Sequence, residues 1–116
     1  MAALSDNGAS ADEARPFRAR FVVVSHHAVI EFTGDFDLAA EGVARDAIAA
    51  AWSTGTPSVV IDLSGVDFMD STGVMSLLSA QATAEASGRD LSLRLGAPAL
   101  RIMELCGVLE HFELAP

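Results

Sequence analysis

The run Val59-Val60-Ile61-Asp62-Leu63-Ser64-Gly65-Val66-Asp67-Phe68-Met69-Asp70-Ser71-Thr72-Gly73 constrains this chain more than any other part of it. The β-branched residues Val59 to Ile61 suit a central strand, and Phe68 and Met69 are expected to anchor the turn that follows. Asp70-Ser71-Thr72-Gly73 then supplies side chains that cap a helix start. A buried strand that ends at the mouth of a helix delivers one hydroxyl there, oriented and accessible. Free backbone N–H groups and the positive end of the helix dipole make such a place tolerant of phosphate. Ser71 is therefore the candidate switch residue. The competing reading of the same residues is an ordinary helix cap.

Outside this run the pattern alternates between strand and helix. Phe17 to Val24 and Ala28 to Thr33 are rich in Val, Phe and Ile and read as two strands turned by Ser25-His26-His27. Gly34-Asp35-Phe36-Asp37 is expected to break the second strand, with Asp37 capping a helix whose Ala40, Ala44, Ala47, Ile48 and Ala51 recur at helical spacing. Glu41 and Arg45 mark its wet side. Ser53-Thr54-Gly55-Thr56-Pro57 closes that helix before the third strand, and a second helix is expected from about Thr72 to Ser87, ended by Gly88. Its apolar stripe reads as Val74, Leu77, Leu78 and Ala82. Leu91, Leu93 and Leu95 alternate with Ser92 and Arg94 as a fourth strand with one drier face. Pro98 opens a third helix with Ala99, Ile102, Met103 and Cys106 at helical spacing, Gly107 provides a left-handed exit, and Phe112 to Leu114 form a short last strand. The order is ββαβαβαβ. It implies an α/β fold with a mixed, mostly parallel sheet, an N-terminal antiparallel hairpin, right-handed crossovers and about three packed helices.

The 116 residues fit one domain able to bury a core without disulfides or metals. Residues 1–16 are small, polar and unpatterned, and are expected to form a loose tail ahead of a domain over 17–116. Seven Lys and Arg against 16 Asp and Glu give a net charge of −9. Such a surface repels phosphate backbones and anionic membranes, so neither nucleic acid nor a membrane is an expected partner, whereas a basic protein surface is. No apolar stretch reaches the roughly 18 residues that cross a bilayer, and residues 1–16 lack the pattern of a signal peptide, so a cytoplasmic location is expected. Cys106 reads as a buried spectator on an apolar helix face.

In open sheets of this kind, ligands and partners gather beyond the carboxyl ends of the parallel strands, where the Gly34–Asp37 and Asp70–Gly73 loops are both expected. Asp35, Asp37 and Asp70 are positioned there to orient Ser71 or to join a partner-binding rim. A divalent-cation site is disfavoured, because such sites present more carboxylates at closer spacing. A serine hydrolase built on Ser71 would need His26, His27 or His111 as base. The first two fall in the opening hairpin, at the far end from the helix-initiating loops, and the third lacks an acidic orienter. No phosphate-cradling glycine pattern is present.

At these motifs the sequence resembles the STAS domain family and, within it, the bacterial anti-sigma factor antagonists. The likeness runs from Phe17 to Leu114. It rests on Gly34-Asp35-Phe36-Asp37, on Val60-Ile61-Asp62-Leu63-Ser64-Gly65-Val66 leading into Phe68-Met69-Asp70-Ser71-Thr72-Gly73, and on Leu105-Cys106-Gly107-Val108. The resemblance implies a non-enzymatic protein that binds an anti-sigma factor when unphosphorylated and so releases a sigma factor. It implies that this partner is also a serine kinase of histidine-kinase-like ATPase fold, that the kinase modifies Ser71 rather than Thr72, and that a separate metal-dependent serine phosphatase reverses the step. ATP and magnesium then belong to the partner kinase, and the chain itself needs no cofactor. The family aspartate after strand two maps onto Asp37, and the implied partner-binding set is Asp35, Asp37, Asp70, Ser71, Thr72, Gly73 and Met75. Two positions depart from the family pattern. Val74-Met75-Ser76 lacks a glycine usual near there, and Asp35 stands where glutamate is more common. A STAS subunit of a lipid-transport ATPase or a component of a stress-signalling scaffold are the alternatives within the family.

Overall fold

The alternation read from the sequence builds one mixed sheet. The structure, a computed structural model, describes residues 15–116, so residues 1–14 of the expected tail lie outside the described residues. Strand β1 (Arg18–Val24) pairs antiparallel with β2 (His27–Phe36), from Arg18 opposite Thr33 to Val24 opposite His27. A 3₁₀ turn (Leu38–Ala40) leads into α1 (Glu41–Ser53), followed by β3 (Ser58–Met69), α2 (Ser71–Ser87), β4 (Asp90–Leu95) and α3 (Ala97–Cys106). A second 3₁₀ turn (Leu109–His111) precedes β5 (Glu113–Leu114). The strands lie side by side in chain order, and every pair after the first is parallel. The ββαβαβαβ order and the antiparallel edge are those the sequence predicts.

Alternate strand residues supply the core. Ala28, Ile30, Phe32 and Phe36 of β2, Val59, Ile61 and Leu63 of β3, and Leu91 and Leu93 of β4 are buried with Ala44, Ile48 and Ala51 of α1, Leu77 of α2 and Met103 of α3. Val29, Glu31, Asp62, Ser92 and Arg94, on the other face of the pleat, are only partly buried. Gly88 and Gly107 end α2 and α3 in the left-handed region, each with φ of 69°.

Several expectations are corrected by tertiary contacts. Strand β2 does not stop at Thr33. Register shifts against β3 between Glu31 and Thr33 and between Gly34 and Asp35 carry it on to Phe36, whose ring fills the core. Gly34 has φ of 89°, and a Cβ there would lie 2.0 Å from the carbonyl oxygen of Pro16. Only glycine admits this approach, which seats the segment before β1: the Asp35 N–H donates to the Arg15 carbonyl at 3.0 Å and the Arg15 N–H to Asp35 Oδ2 at 2.9 Å. Phe17 then packs against Phe32 and Phe36, both at 5.0 Å between ring centroids.

Phe68 does not anchor its turn; it is 50 % exposed, and Met69 beside it is buried instead. Helix α2 turns Gly73, Val74, Leu77, Ala80 and Ala84 inward and leaves Ala82 exposed, because its small residues let the sheet, rather than side-chain size, choose the buried face. Cys106 is exposed, since the inward face of α3 is Ala99 and Met103.

One carboxylate on the open sheet face carries a pH signature. Burial alone raises the Asp62 carboxyl, but the Ser64 hydroxyl and N–H and the Arg94 guanidinium outweigh it and hold the group below its ordinary value. A depressed carboxylate stabilises the fold above its unfolded value of about 3.9, and that contribution is lost as pH falls through the folded value. Thermal melts should therefore show Asp62→Asn less stable than wild type at neutral pH, with the difference starting to shrink below about pH 4 and vanishing only once the pH is below the depressed folded value. A second outcome concerns the α2 entry. A Cβ on Gly73 would lie 2.7 Å from Met69 Cγ and 3.0 Å from the Phe36 oxygen. Gly73→Ala should lower stability by about 1–2 kcal/mol in denaturant unfolding, overpacking outweighing the better helix propensity of alanine.

Candidate functional site

Strands β2 and β3 end side by side, with Phe36 opposite Met69. The next residue of each is an aspartate, and both turn the chain from strand to helix in the same way. Asp37 is extended and its Oδ1 accepts the Ala39 N–H at 3.1 Å, capping the 3₁₀ turn that opens α1. Asp70 is extended too, and its Oδ1 accepts the Thr72 N–H at 2.9 Å and the Gly73 N–H at 3.4 Å. The Asp70 N–H points back to the Phe36 carbonyl at 3.4 Å, tying the two turns together.

Ser71 is the first residue of α2 and is exposed, and no side-chain hydrogen bond among the described residues uses its hydroxyl. Thr72 is partly buried and Gly73 fully so, which leaves Ser71 the more reachable of the two hydroxyls. The sequence places free helix amides at this point; the structure gives two of them to Asp70. A phosphate on Ser71 would therefore meet the helix dipole but find the Thr72 and Gly73 N–H groups already bonded, with a carboxylate as their acceptor.

The remaining expected residues separate by role. Asp35 does not reach Ser71 by any hydrogen bond; it binds Arg15, and its Oδ1 is buried without a partner among the described residues. Asp37 and Asp70 serve as caps. Among the described residues, no group of three His, Cys, Asp or Glu side chains is placed to hold a metal ion. Met75, one turn beyond Ser71 on α2, is 63 % exposed. His27 sits at the opposite end of the sheet, its Nδ1 3.1 Å from Ser58 Oγ at the start of β3, while His26 lies in the hairpin turn and His111 in the second 3₁₀ turn.

Sequence reasoning missed the apolar surroundings. Leu38, directly after Asp37, and Phe68, two residues before Asp70, are both exposed, as is Val43 in the first turn of α1. With Met75 they give the carboxyl end of the sheet an apolar surface around the two caps. Between α1 and α2 lies a groove of about 320 Å³ lined by Glu41, Arg45, Ile48, Trp52, Met75 and Ser79 among others. The Trp52 indole N–H is buried without an acceptor among the described residues. A large apolar residue directly beside a helix-capping aspartate, as at Leu38, was the available signal; nothing local marks Trp52.

Residues 19–113 match the family model described as Mlab, STAS domain. No curated protein sequence matches significantly. Among solved structures, an anti-sigma factor antagonist from Mycobacterium paratuberculosis is 25 % identical with a TM-score of 0.74, over 87 % of this chain and 86 % of that one. The Bacillus cell fate determinant SpoIIAA in its phosphorylated form is 24 % identical with a TM-score of 0.63, over 87 % of this chain and 92 % of that one. The anti-sigma factor antagonist SpoIIAA in its unphosphorylated form gives the same identity and TM-score, 24 % and 0.63, over 85 % and 86 % of the two chains. With that model spanning nearly all of the described residues and the sheet order and strand-to-helix turns in place, the chain belongs to the STAS domain family.

Proposed function

We propose that this chain is a non-enzymatic anti-sigma factor antagonist whose docking surface is the carboxyl end of β2 and β3 with the first turn of α2. Unphosphorylated, it binds an anti-sigma factor that is also a serine kinase of histidine-kinase-like ATPase fold, and so frees a sigma factor. Phosphorylation of Ser71 ends the interaction, and a serine phosphatase restores it. ATP and magnesium act on the partner kinase, and the exchange takes place in the cytoplasm.

The observation that carries this reading is the exposed Ser71 hydroxyl, without a hydrogen bond among the described residues, at a strand-to-helix junction where Asp70 caps the Thr72 and Gly73 N–H groups. Exposed Leu38, Phe68 and Met75 supply apolar contact area around it. The likeness to the mycobacterial antagonist over most of both chains supports the same role. A net charge of −9 favours a basic partner surface.

The switch follows from local electrostatics. A phosphate adds about −1.5 to −2 charges. It appears at the interface beside the Asp70 carboxylate, which already accepts from the Thr72 and Gly73 N–H groups. The new charge is therefore presented at the apolar contact surface, and its bulk and the cost of desolvating it displace the partner while the core beneath is untouched.

Incubation with the cognate kinase and ATP should place label on Ser71, and Ser71→Ala should abolish labelling while retaining binding. Label confined to Thr72 overturns the assignment. In a pull-down from native cell extract, wild type should recover an ATPase-fold anti-sigma factor and Ser71→Glu should recover at least about tenfold less, a change of ~1.4 kcal/mol. Equal recovery by both removes the switch. Recovery of a transporter ATPase in its place favours the lipid-transport reading.

A further inference from the structure

The two edges of the sheet are unlike. At one side β5 is a two-residue strand, short enough to offer little to a neighbour. At the other, β1 is a seven-residue strand, Arg-Ala-Arg-Phe-Val-Val-Val, with no proline and no register shift against β2. Phe21, Val22, Val23 and Val24 are 38 %, 53 %, 46 % and 53 % exposed, so apolar side chains stand in water on both faces of the strand. An edge of this kind, unpaired among the described residues, is a template for strand addition.

We propose that β1 pairs antiparallel with β1 of a second copy about a two-fold axis through Val22, joining two sheets into one. This reading is independent of the Ser71 switch, which lies at the carboxyl end of β3 and stays open.

The backbone and the side chains both favour a second copy as the occupant. The hairpin turn is Ser25-His26, with positive φ at Ser25 alone among its non-glycine residues, so Val24 and His27 are the closing pair. In such a hairpin the closing pair is hydrogen-bonded, and the pattern alternates from there. Val24, Val22 and Arg20 thus direct their N–H and C=O groups to β2, and Ala19, Phe21 and Val23 direct theirs to the open edge. A two-fold through Val22 sets Phe21 of each copy against Val23 of the other, which satisfies these outward groups.

Val22 lies opposite Val29, and Val29 opposite Val60, so the open face carries a row of valines that ends at the edge. The two-fold continues this row into the second copy, valine against valine. The same register sets Arg20 opposite the partner's Val24, so no like charges face each other, and Arg20 keeps its 2.8 Å ion pair with Glu31. An unrelated strand has no reason to repeat this spacing of two arginines followed by an apolar run.

The full chain, followed by sedimentation from micromolar to millimolar concentration, should pass from monomer to a species of doubled mass. Added salt should favour the larger species by screening the repulsion between two chains of charge −9. Val22→Lys sets two ammonium groups face to face and should remain monomeric throughout, with the wild-type circular dichroism and the same Ser71 labelling. In a Cys106→Ser background, Val22→Cys should cross-link to its own copy on oxidation, because residues opposite at non-hydrogen-bonded positions bring their Cα atoms within disulfide range. Val24→Cys should not. A wild type monomeric throughout, a Val22→Lys dimer, or equal cross-linking from both positions overturns the proposal.

Discussion

The structure depends on the contact between the ends of two neighbouring strands and the first turn of one helix. Phe36 and Met69 finish β2 and β3 opposite each other, and Gly73 is pressed onto both, with no room for a Cβ. The Asp70 N–H closes the joint by donating to the Phe36 carbonyl. Because the third residue of α2 is held inward, the first is held outward, and that residue is Ser71. Packing at Gly73 therefore sets the exposure of the hydroxyl. The aromatic trio of Phe17, Phe32 and Phe36 fixes the same joint from below, and Gly34 admits the chain segment that brings Phe17 there.

The capping aspartates define what the joint does. A helix start with free amides would absorb an added phosphate, and the modification would then be quiet. Here Asp70 occupies two of those amides, so in the proposed switch a phosphate one residue later is left largely to the surface. Asp37 performs the same capping at the neighbouring turn, and neither carboxylate hydrogen-bonds the serine hydroxyl. The result is a surface with one exposed hydroxyl and a border of Leu38, Phe68 and Met75, which the proposed function assigns to recognition by another protein.

What was legible in the sequence was local. The β-branched run of β3, the Asp70 cap, and the glycines that end α2 and α3 each act within a few residues, and each appears where the pattern places it. What was not legible depends on partners distant in the chain. Gly34-Asp35 looks like a strand breaker, yet β2 runs through it because Pro16 packs against Gly34 and the register against β3 shifts twice. Phe68 and Cys106 are apolar by composition and exposed by position. In α2 the alternatives were alanines of equal size, and only the sheet beneath distinguishes Ala80 and Ala84 from Ala82. The buried, unpartnered Trp52 N–H is likewise a consequence of how α1 and α2 lie together.

The most direct measurement is calorimetric titration of the purified anti-sigma factor with this chain, unmodified and fully phosphorylated on Ser71, accompanied by amide correlation spectra of both forms. The account predicts that phosphorylation weakens the complex by a factor of ten or more while spectral changes stay within Asp70 to Met75 and the adjoining Asp37 turn. Equal affinities, or spectral changes spread through the core strands, would contradict it.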